Sequence, residues 1–104
     1  MSESVNTARR DALLHAMSVL STAANLLGTG HGEVALLLAA REQIAKRGLP
    51  GAPGSTENEA GAAERSAILN DVDAAIRGAN RASGYDALTW AEMRVQERLS
   101  HILF

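Results

Sequence analysis

The 104-residue sequence contains no cysteine, only two prolines and only three aromatic residues, Tyr85, Trp90 and Phe104. The absence of cysteine excludes a disulfide scaffold, a thiolate zinc site, an iron–sulfur cluster and a cysteine nucleophile. The sequence also has little net charge, because ten basic residues face twelve acidic residues. Such a balance argues against a protein that binds by neutralising phosphate groups, so we expect no nucleic-acid partner.

Long apolar runs are missing as well. The longest uninterrupted apolar run covers residues 34–40, whereas a membrane-spanning helix needs about 20 apolar residues. The first ten residues are polar and lack the apolar core of a signal peptide. The sequence therefore predicts a cytoplasmic protein with no membrane partner.

Alanine and leucine provide most of the apolar side chains, with 20 alanines and 13 leucines. Both residue types favour helices, and the apolar residues follow the helical period rather than the strand period. We therefore predict an all-α fold, an up-and-down bundle of about four helices in a single domain. The predicted helices cover approximately residues 5–27, 33–47, 58–82 and 90–103, and a flexible linker with two prolines covers residues 49–57.

The first predicted helix has an unusually wide apolar surface. Its apolar side chains cover an arc of about 180°, whereas the apolar stripe of a surface helix is typically somewhat over 100° wide. Covering such an arc requires more than one neighbour, and small residues such as Ala12 and Ala16 near its middle allow close approach. This wide surface is the main argument from sequence that the protein self-associates.

Other helix ends carry recognisable local signals. Gly28 and Gly48 are each placed to end a helix in the left-handed conformation, and Pro50 prevents continuation of the second helix. Thr56 and Glu59 have the spacing of a capping box near the start of the third helix. These signals set the predicted limits of the first three helices.

The start of the last helix is the most fully specified boundary. Thr89 and Glu92 have the spacing of a capping box, in which each side chain binds the backbone N–H of the other residue. Leu88 and Met93 have the spacing of a hydrophobic staple around the same turn. Together these four residues predict that the last helix begins at Trp90.

Four apolar residues are candidates for a protein–protein interface. The last helix has two apolar faces, and Trp90, Met93 and Phe104 cluster on the face away from the predicted core. Tryptophan is enriched in interface hot spots, although the staple equally explains Met93 and a terminal phenylalanine can fold back on the bundle. Leu14 stands among polar neighbours on the first helix, where a single exposed leucine needs no partner.

Arg41 is the fifth interface candidate, because it lies within the apolar arc of the second helix. Its stem can lie along the apolar surface while the guanidinium reaches water, or the guanidinium can pair with a carboxylate at an interface. The charges of the third helix have a simpler interpretation. Asp73 and Arg77, four residues apart, are predicted to form an ion pair on the solvent side.

The sequence offers no arrangement typical of catalysis, so we expect a protein that is not an enzyme and carries no cofactor. The three histidines, His15, His31 and His101, are scattered, and no serine–histidine–aspartate set can be identified. Glu97 and His101 have the helical spacing at which two side chains could share a divalent metal ion, but such a site would need further ligands. A solvent-facing Glu–His pair is the simpler interpretation.

These features predict a small helical protein–protein interaction module, most simply a homodimer. One alternative is a small cytoplasmic regulator, of the antitoxin-like or anti-activator kind, that uses the same surface to bind a different protein. A second alternative is a metal- or ligand-binding helical bundle organised around Glu97 and His101. The sequence does not indicate the biological process.

Overall fold

Helices account for most of the described chain. The structure, a computed structural model, describes residues 3–103. Within this range it contains four α-helices: α1 (Glu3–Asn25), α2 (Glu33–Lys46), α3 (Thr56–Ile76) and α4 (Ala87–Leu103). The predicted all-α fold of about four helices is therefore confirmed.

Successive helices run in opposite directions. The end of α2 lies beside the early part of α1, because Arg47 Nη2 is 3.0 Å from Asp11 Oδ1. It also lies beside the early part of α3, because Arg65 Nη1 donates to the Arg47 carbonyl oxygen at 2.7 Å. One buried core extends over all four helices, and α1 contacts each of the other three. The chain is thus an up-and-down four-helix bundle, as predicted.

Helix α1 is the central element of the core. Its buried side chains are Val5, Ala8, Leu13, Ala16, Val19, Leu20 and Ala23. Ala8 and Ala16 have no exposed surface, so two small residues allow the neighbouring helices to approach closely. The wide apolar arc needs several neighbours, as expected, but α2, α3 and α4 of the same chain provide them. The arc itself therefore does not require a second chain.

Helix α4 begins three residues earlier than predicted. It starts at Ala87, and the preceding Asp86 caps it, because Asp86 Oδ1 accepts a hydrogen bond from the Thr89 N–H at 2.7 Å. The Thr89 hydroxyl donates to the other carboxylate oxygen of Asp86 at 3.0 Å. The predicted start at Trp90 is wrong, because an aspartate just upstream supplies a stronger capping group than the threonine.

Both ends of α3 also differ from the prediction. The helix begins at Thr56, and the residue that caps it is Ser55, whose hydroxyl accepts from the Asn58 N–H at 3.1 Å. The predicted cap, Thr56, is therefore displaced by one residue. The helix ends at Ile76 rather than near residue 82, because Gly78 adopts a φ of 90° and leads the chain out of the helix.

The end of α2 is fixed by side-chain contacts rather than by a glycine. Arg47 adopts an extended conformation while its guanidinium pairs with Asp11 and its carbonyl accepts from Arg65. Gly48 does not have a positive φ, so the left-handed cap predicted at this residue is wrong. Gly28, which follows α1, does adopt the left-handed conformation, with a φ of 88°.

Candidate functional site

An open groove of about 520 Å³ lies along the outer side of α4. Its walls come from α4 and from the loop that precedes this helix. We call it the α4 groove, and its lining residues are Ser83, Tyr85, Trp90, Met93, Arg94, Gln96, Glu97 and Ser100. The groove contains Trp90 and Met93, two of the residues that the sequence indicated as interface candidates.

Helix α4 presents this groove because it has two distinct faces. The buried inner face carries Leu88, Ala91, Val95 and Leu99. Six residues of α4 line the groove, and four of them, which we call the outer stripe, follow one side of the helix: Trp90, Met93, Glu97 and Ser100. Successive members of the outer stripe are three or four residues apart, the spacing that keeps side chains on one side of a helix.

Large apolar side chains remain accessible in the α4 groove. Tyr85 is 50% exposed and Met93 is 43% exposed, while Trp90 packs partly against the core and keeps part of its ring at the surface. Single exposed apolar residues are common on protein surfaces, but a cluster of them in a concave surface is typical of an interaction site.

Arg94 lies over the apolar part of the groove. Its guanidinium carbon is 5.8 Å from the centre of the Trp90 ring, the geometry of a cation–π contact. Its contacts with carboxylates are long, since Nη1 donates to Glu97 at 3.4 Å and Nε is 3.7 Å from Asp71. Within the described residues, Arg94 Nε is buried and has no hydrogen-bond partner. Arg94 is thus held in position, and because Nε is buried, only its terminal N–H groups can reach an acceptor outside the chain.

A partly buried ion pair between α3 and α4 lies beside Arg94. Asp71 is 8% exposed, and its Oδ2 accepts from Arg98 Nε at 2.8 Å. This hydrogen bond raises the pKa of Arg98, and burial of the guanidinium partly opposes the shift. About two turns earlier on α3, the buried Glu64 accepts a hydrogen bond from Arg9 Nε of α1 at 2.9 Å. Acidic residues of α3 therefore connect it to helices on both sides.

Burial shifts the pKa values of Glu92 and His15, which lie outside the groove. Burial at the contact between α4 and α1, together with the nearby Asp86, raises the pKa of Glu92, and a hydrogen bond with Ser21 opposes the shift. Burial and the nearby Arg47 lower the pKa of His15. Neither group lines the α4 groove, so its charge balance is set by Arg94 and Glu97 instead.

The remaining interface candidates do not join Trp90 and Met93 in the groove. Leu14 is 51% exposed on α1 and does not line it. Arg41 forms an ion pair within the chain, since its Nε and Nη2 donate to the two oxygens of Asp73 at 2.6 and 3.3 Å. Phe104 lies outside the described residues.

The pairing of Arg41 also corrects the predicted ion pair between Asp73 and Arg77. Asp73 binds Arg41 of α2, so the predicted solvent-side pair between Asp73 and Arg77 is not the contact that the structure contains. Spacing within one helix identified two residues that can meet, but it could not show that a neighbouring helix supplies a bidentate partner.

Five groove residues were not predicted from the sequence, and Tyr85 and Arg94 are the two that the proposed contacts depend on. Arg94 follows Trp90 by four residues, so helical spacing alone could have placed its guanidinium near the indole ring. Tyr85 lies in the loop before α4, and no local pattern indicated that this loop turns the ring toward the helix. The sequence thus identified the helix that forms the groove but not its complete lining.

Among the described residues, the two candidate metal ligands, Glu97 and His101, are not part of a larger ligand set. Glu97 faces Arg94, and His101 is exposed near the end of α4. Within residues 3–103, no group of three or more His, Asp or Glu side chains is arranged to hold a metal ion. The two residues therefore gain no further ligand from the described fold.

Comparison with protein-family models, with curated proteins and with solved structures finds no match for the chain. Over the described part of the chain, none of the helices combines the length and the apolar character needed to cross a bilayer.

Proposed function

We propose that this protein is a protein–protein interaction module that forms a homodimer through the α4 groove. The observation that carries the proposal is the gathering of Tyr85, Trp90 and Met93 in one open groove, with Arg94 placed over the indole ring. Tryptophan, tyrosine and arginine are the residue types most enriched among the hot spots of protein interfaces.

A second copy of the same chain suits this groove electrostatically. The two charged residues that line it, Arg94 and Glu97, have opposite signs. In a twofold-symmetric interface the same surface meets itself, so a strongly charged patch would repel its copy. A balanced pair of charges avoids this repulsion and allows each copy to supply the acceptor or donor that the other needs.

Twofold symmetry also doubles the number of apolar side chains that the interface buries. Full burial of a large apolar side chain contributes about 1.5–3 kcal/mol, and each copy provides Tyr85, Trp90 and Met93. Because these side chains are partly covered already, only a fraction of that value is gained per residue. Burial of six such side chains contributes a favourable free energy of the same order as the entropic cost of association, roughly 4–15 kcal/mol.

Replacement of Met93 by glutamate tests the proposal. Met93 is exposed, so M93E leaves the core intact but places a charge in the centre of the proposed interface. Leu38→Glu is the matched control, because Leu38 is 52% exposed on α2 and does not line the groove. Light scattering after size-exclusion chromatography should give wild type and L38E twice the 10.9 kDa chain mass, and M93E the mass of one chain.

A wild-type protein that is monomeric at micromolar concentration would contradict the homodimer. That result would favour the alternative in which the protein is a small regulator and a different protein occupies the groove. Equal loss of association in M93E and L38E would also contradict the proposal, since it would show that the groove is not the specific contact.

A further inference from the structure

We infer that two copies pair through α4 in an antiparallel arrangement, with Trp90 of each copy packed on Ser100 of the other and Arg94 beside Glu97 of the other. This inference rests on the proposed homodimer and specifies its geometry. It follows from the order of large, small and charged residues along the outer stripe, and from the incomplete contacts of Arg94.

The outer stripe has the spacing of a helix-pairing surface. Its residues Trp90, Met93, Glu97 and Ser100 are separated by three, four and three positions, the repeat that forms a continuous seam between two helices. In an antiparallel pair centred at residue 95, position 90 meets position 100 and position 93 meets position 97. Trp90 then meets the small Ser100, and Met93 meets the flexible side chain of Glu97.

A parallel pair would produce the opposite result. Each residue would then face its own copy, so Trp90 would meet Trp90 and Arg94 would lie beside Arg94. Two bulky rings would compete for one place, and like charges would lie close together at the edge of the seam. The antiparallel arrangement avoids both problems because Ser100 is small and exposed, and because the Glu97 side chain is 60% exposed.

The contacts of Arg94 support an acceptor supplied from outside the chain. The stacking on Trp90 and the proximity of Asp71 fix the guanidinium at the edge of the outer stripe. Its two contacts with carboxylates, at 3.4 and 3.7 Å, are longer than ordinary charged hydrogen bonds of about 2.7–2.9 Å. Glu97 of a second copy can provide the short contact that the chain itself does not provide among its described residues.

Single cysteines can test the arrangement, because the natural chain has none. In the antiparallel pair the two copies of residue 96 lie about 3 Å apart along the helix axis, whereas the two copies of residue 100 lie about 15 Å apart. A disulfide requires Cα atoms within about 7 Å. We therefore expect Gln96→Cys to form a covalent dimer under mild oxidation with oxidised glutathione, and Ser100→Cys to do so at least about tenfold more slowly.

The outcomes separate this inference from the proposed function. Equal disulfide formation at both positions would overturn the antiparallel arrangement, since only a parallel pair places every residue opposite its own copy. Failure of Q96C to cross-link while wild type is a dimer would overturn it as well. A monomeric wild type would instead contradict the homodimer itself. Both cysteine sites are exposed, so neither substitution disturbs the core.

Charge exchange tests the pairing of Arg94 with Glu97. R94E and E97R should each weaken self-association by about tenfold, because each homodimer then brings like charges together. A mixture of the two variants should form a heterodimer of near wild-type affinity, since the acidic chain and the basic chain restore both opposite-charge contacts. Native mass spectrometry distinguishes the heterodimer by mass, and circular dichroism checks the fold of each variant. Two folded variants that do not form a heterodimer would refute this pairing.

Discussion

Two aspartates of α3 show how position determines what a charged side chain contributes. Asp71 and Asp73 each accept a hydrogen bond from an arginine of a neighbouring helix, at 2.8 Å from Arg98 and 2.6 Å from Arg41. The side chain of Asp71 is 11% exposed, whereas that of Asp73 is 30% exposed and stays in contact with water. Because a buried charge that loses its partner cannot recover solvation, the Asp71 pair should contribute more to stability.

The matched variants D71N and D73N test this difference. Each substitution preserves the size of the side chain and removes the charge that an arginine faces. We expect D71N to lower the free energy of unfolding by about 1–3 kcal/mol, less than for a fully buried pair because Arg98 reaches water. D73N should cost less than about 1 kcal/mol. Urea unfolding followed by circular dichroism measures both values, and equal losses would show that burial does not control the contribution.

At the scale of whole helices, the sequence determined the helix bodies but not their ends. Apolar periodicity predicted all four bodies, because the residues that pack against neighbours recur at the helical spacing. The start of α4, in contrast, depends on the adjacent Asp86 and also on a distant group. The Glu33 carboxylate, at the start of α2, accepts hydrogen bonds from the backbone N–H groups of Ala87 and Leu88. Such a contact between remote segments cannot be recognised from local spacing.

The caps of α4 give a prediction at this scale. Asp86→Ala removes the side chain that accepts the Thr89 N–H, so we expect a loss of about 1 kcal/mol in the free energy of unfolding. Thr89→Ala removes only a hydroxyl that donates to Asp86, and it should cost less than about 0.5 kcal/mol. Thermal and urea unfolding of the two variants provide the comparison. A larger loss in T89A would contradict this expectation and would support the capping box of Thr89 and Glu92 predicted from the sequence.

Part of the candidate site could also be predicted from the sequence. A second apolar face on the last helix identified Trp90 and Met93, because helical spacing shows which residues share a side. The role of Tyr85 depends on the path of a loop, and the partner of Arg41 depends on how two helices pack. Both are products of tertiary structure, so a single sequence read along its length does not reveal them.

At the scale of the whole molecule, the total exposed area does not require association. The chain exposes 5842 Å², close to the value of about 5600 Å² expected for a compact monomer of 10.9 kDa. The wide arc of α1 therefore does not indicate a second chain, since the other helices of the same chain bury its centre. The exposed leucines and valine, Leu14, Leu26, Leu27, Val34 and Leu38, lie elsewhere on the surface. The α4 groove differs from that surface because Tyr85, Trp90 and Met93 line a single concave site.

Fluorescence of Trp90 during dilution tests the central claim most directly, because this residue is the only tryptophan in the chain and lies in the proposed interface. The account predicts that emission shifts to longer wavelength as dilution separates the dimer and exposes the indole to water. The midpoint should coincide with the change in mass, and M93E should show the monomer spectrum at every concentration. A wild-type spectrum that does not change while the mass falls from two chains to one would contradict the account.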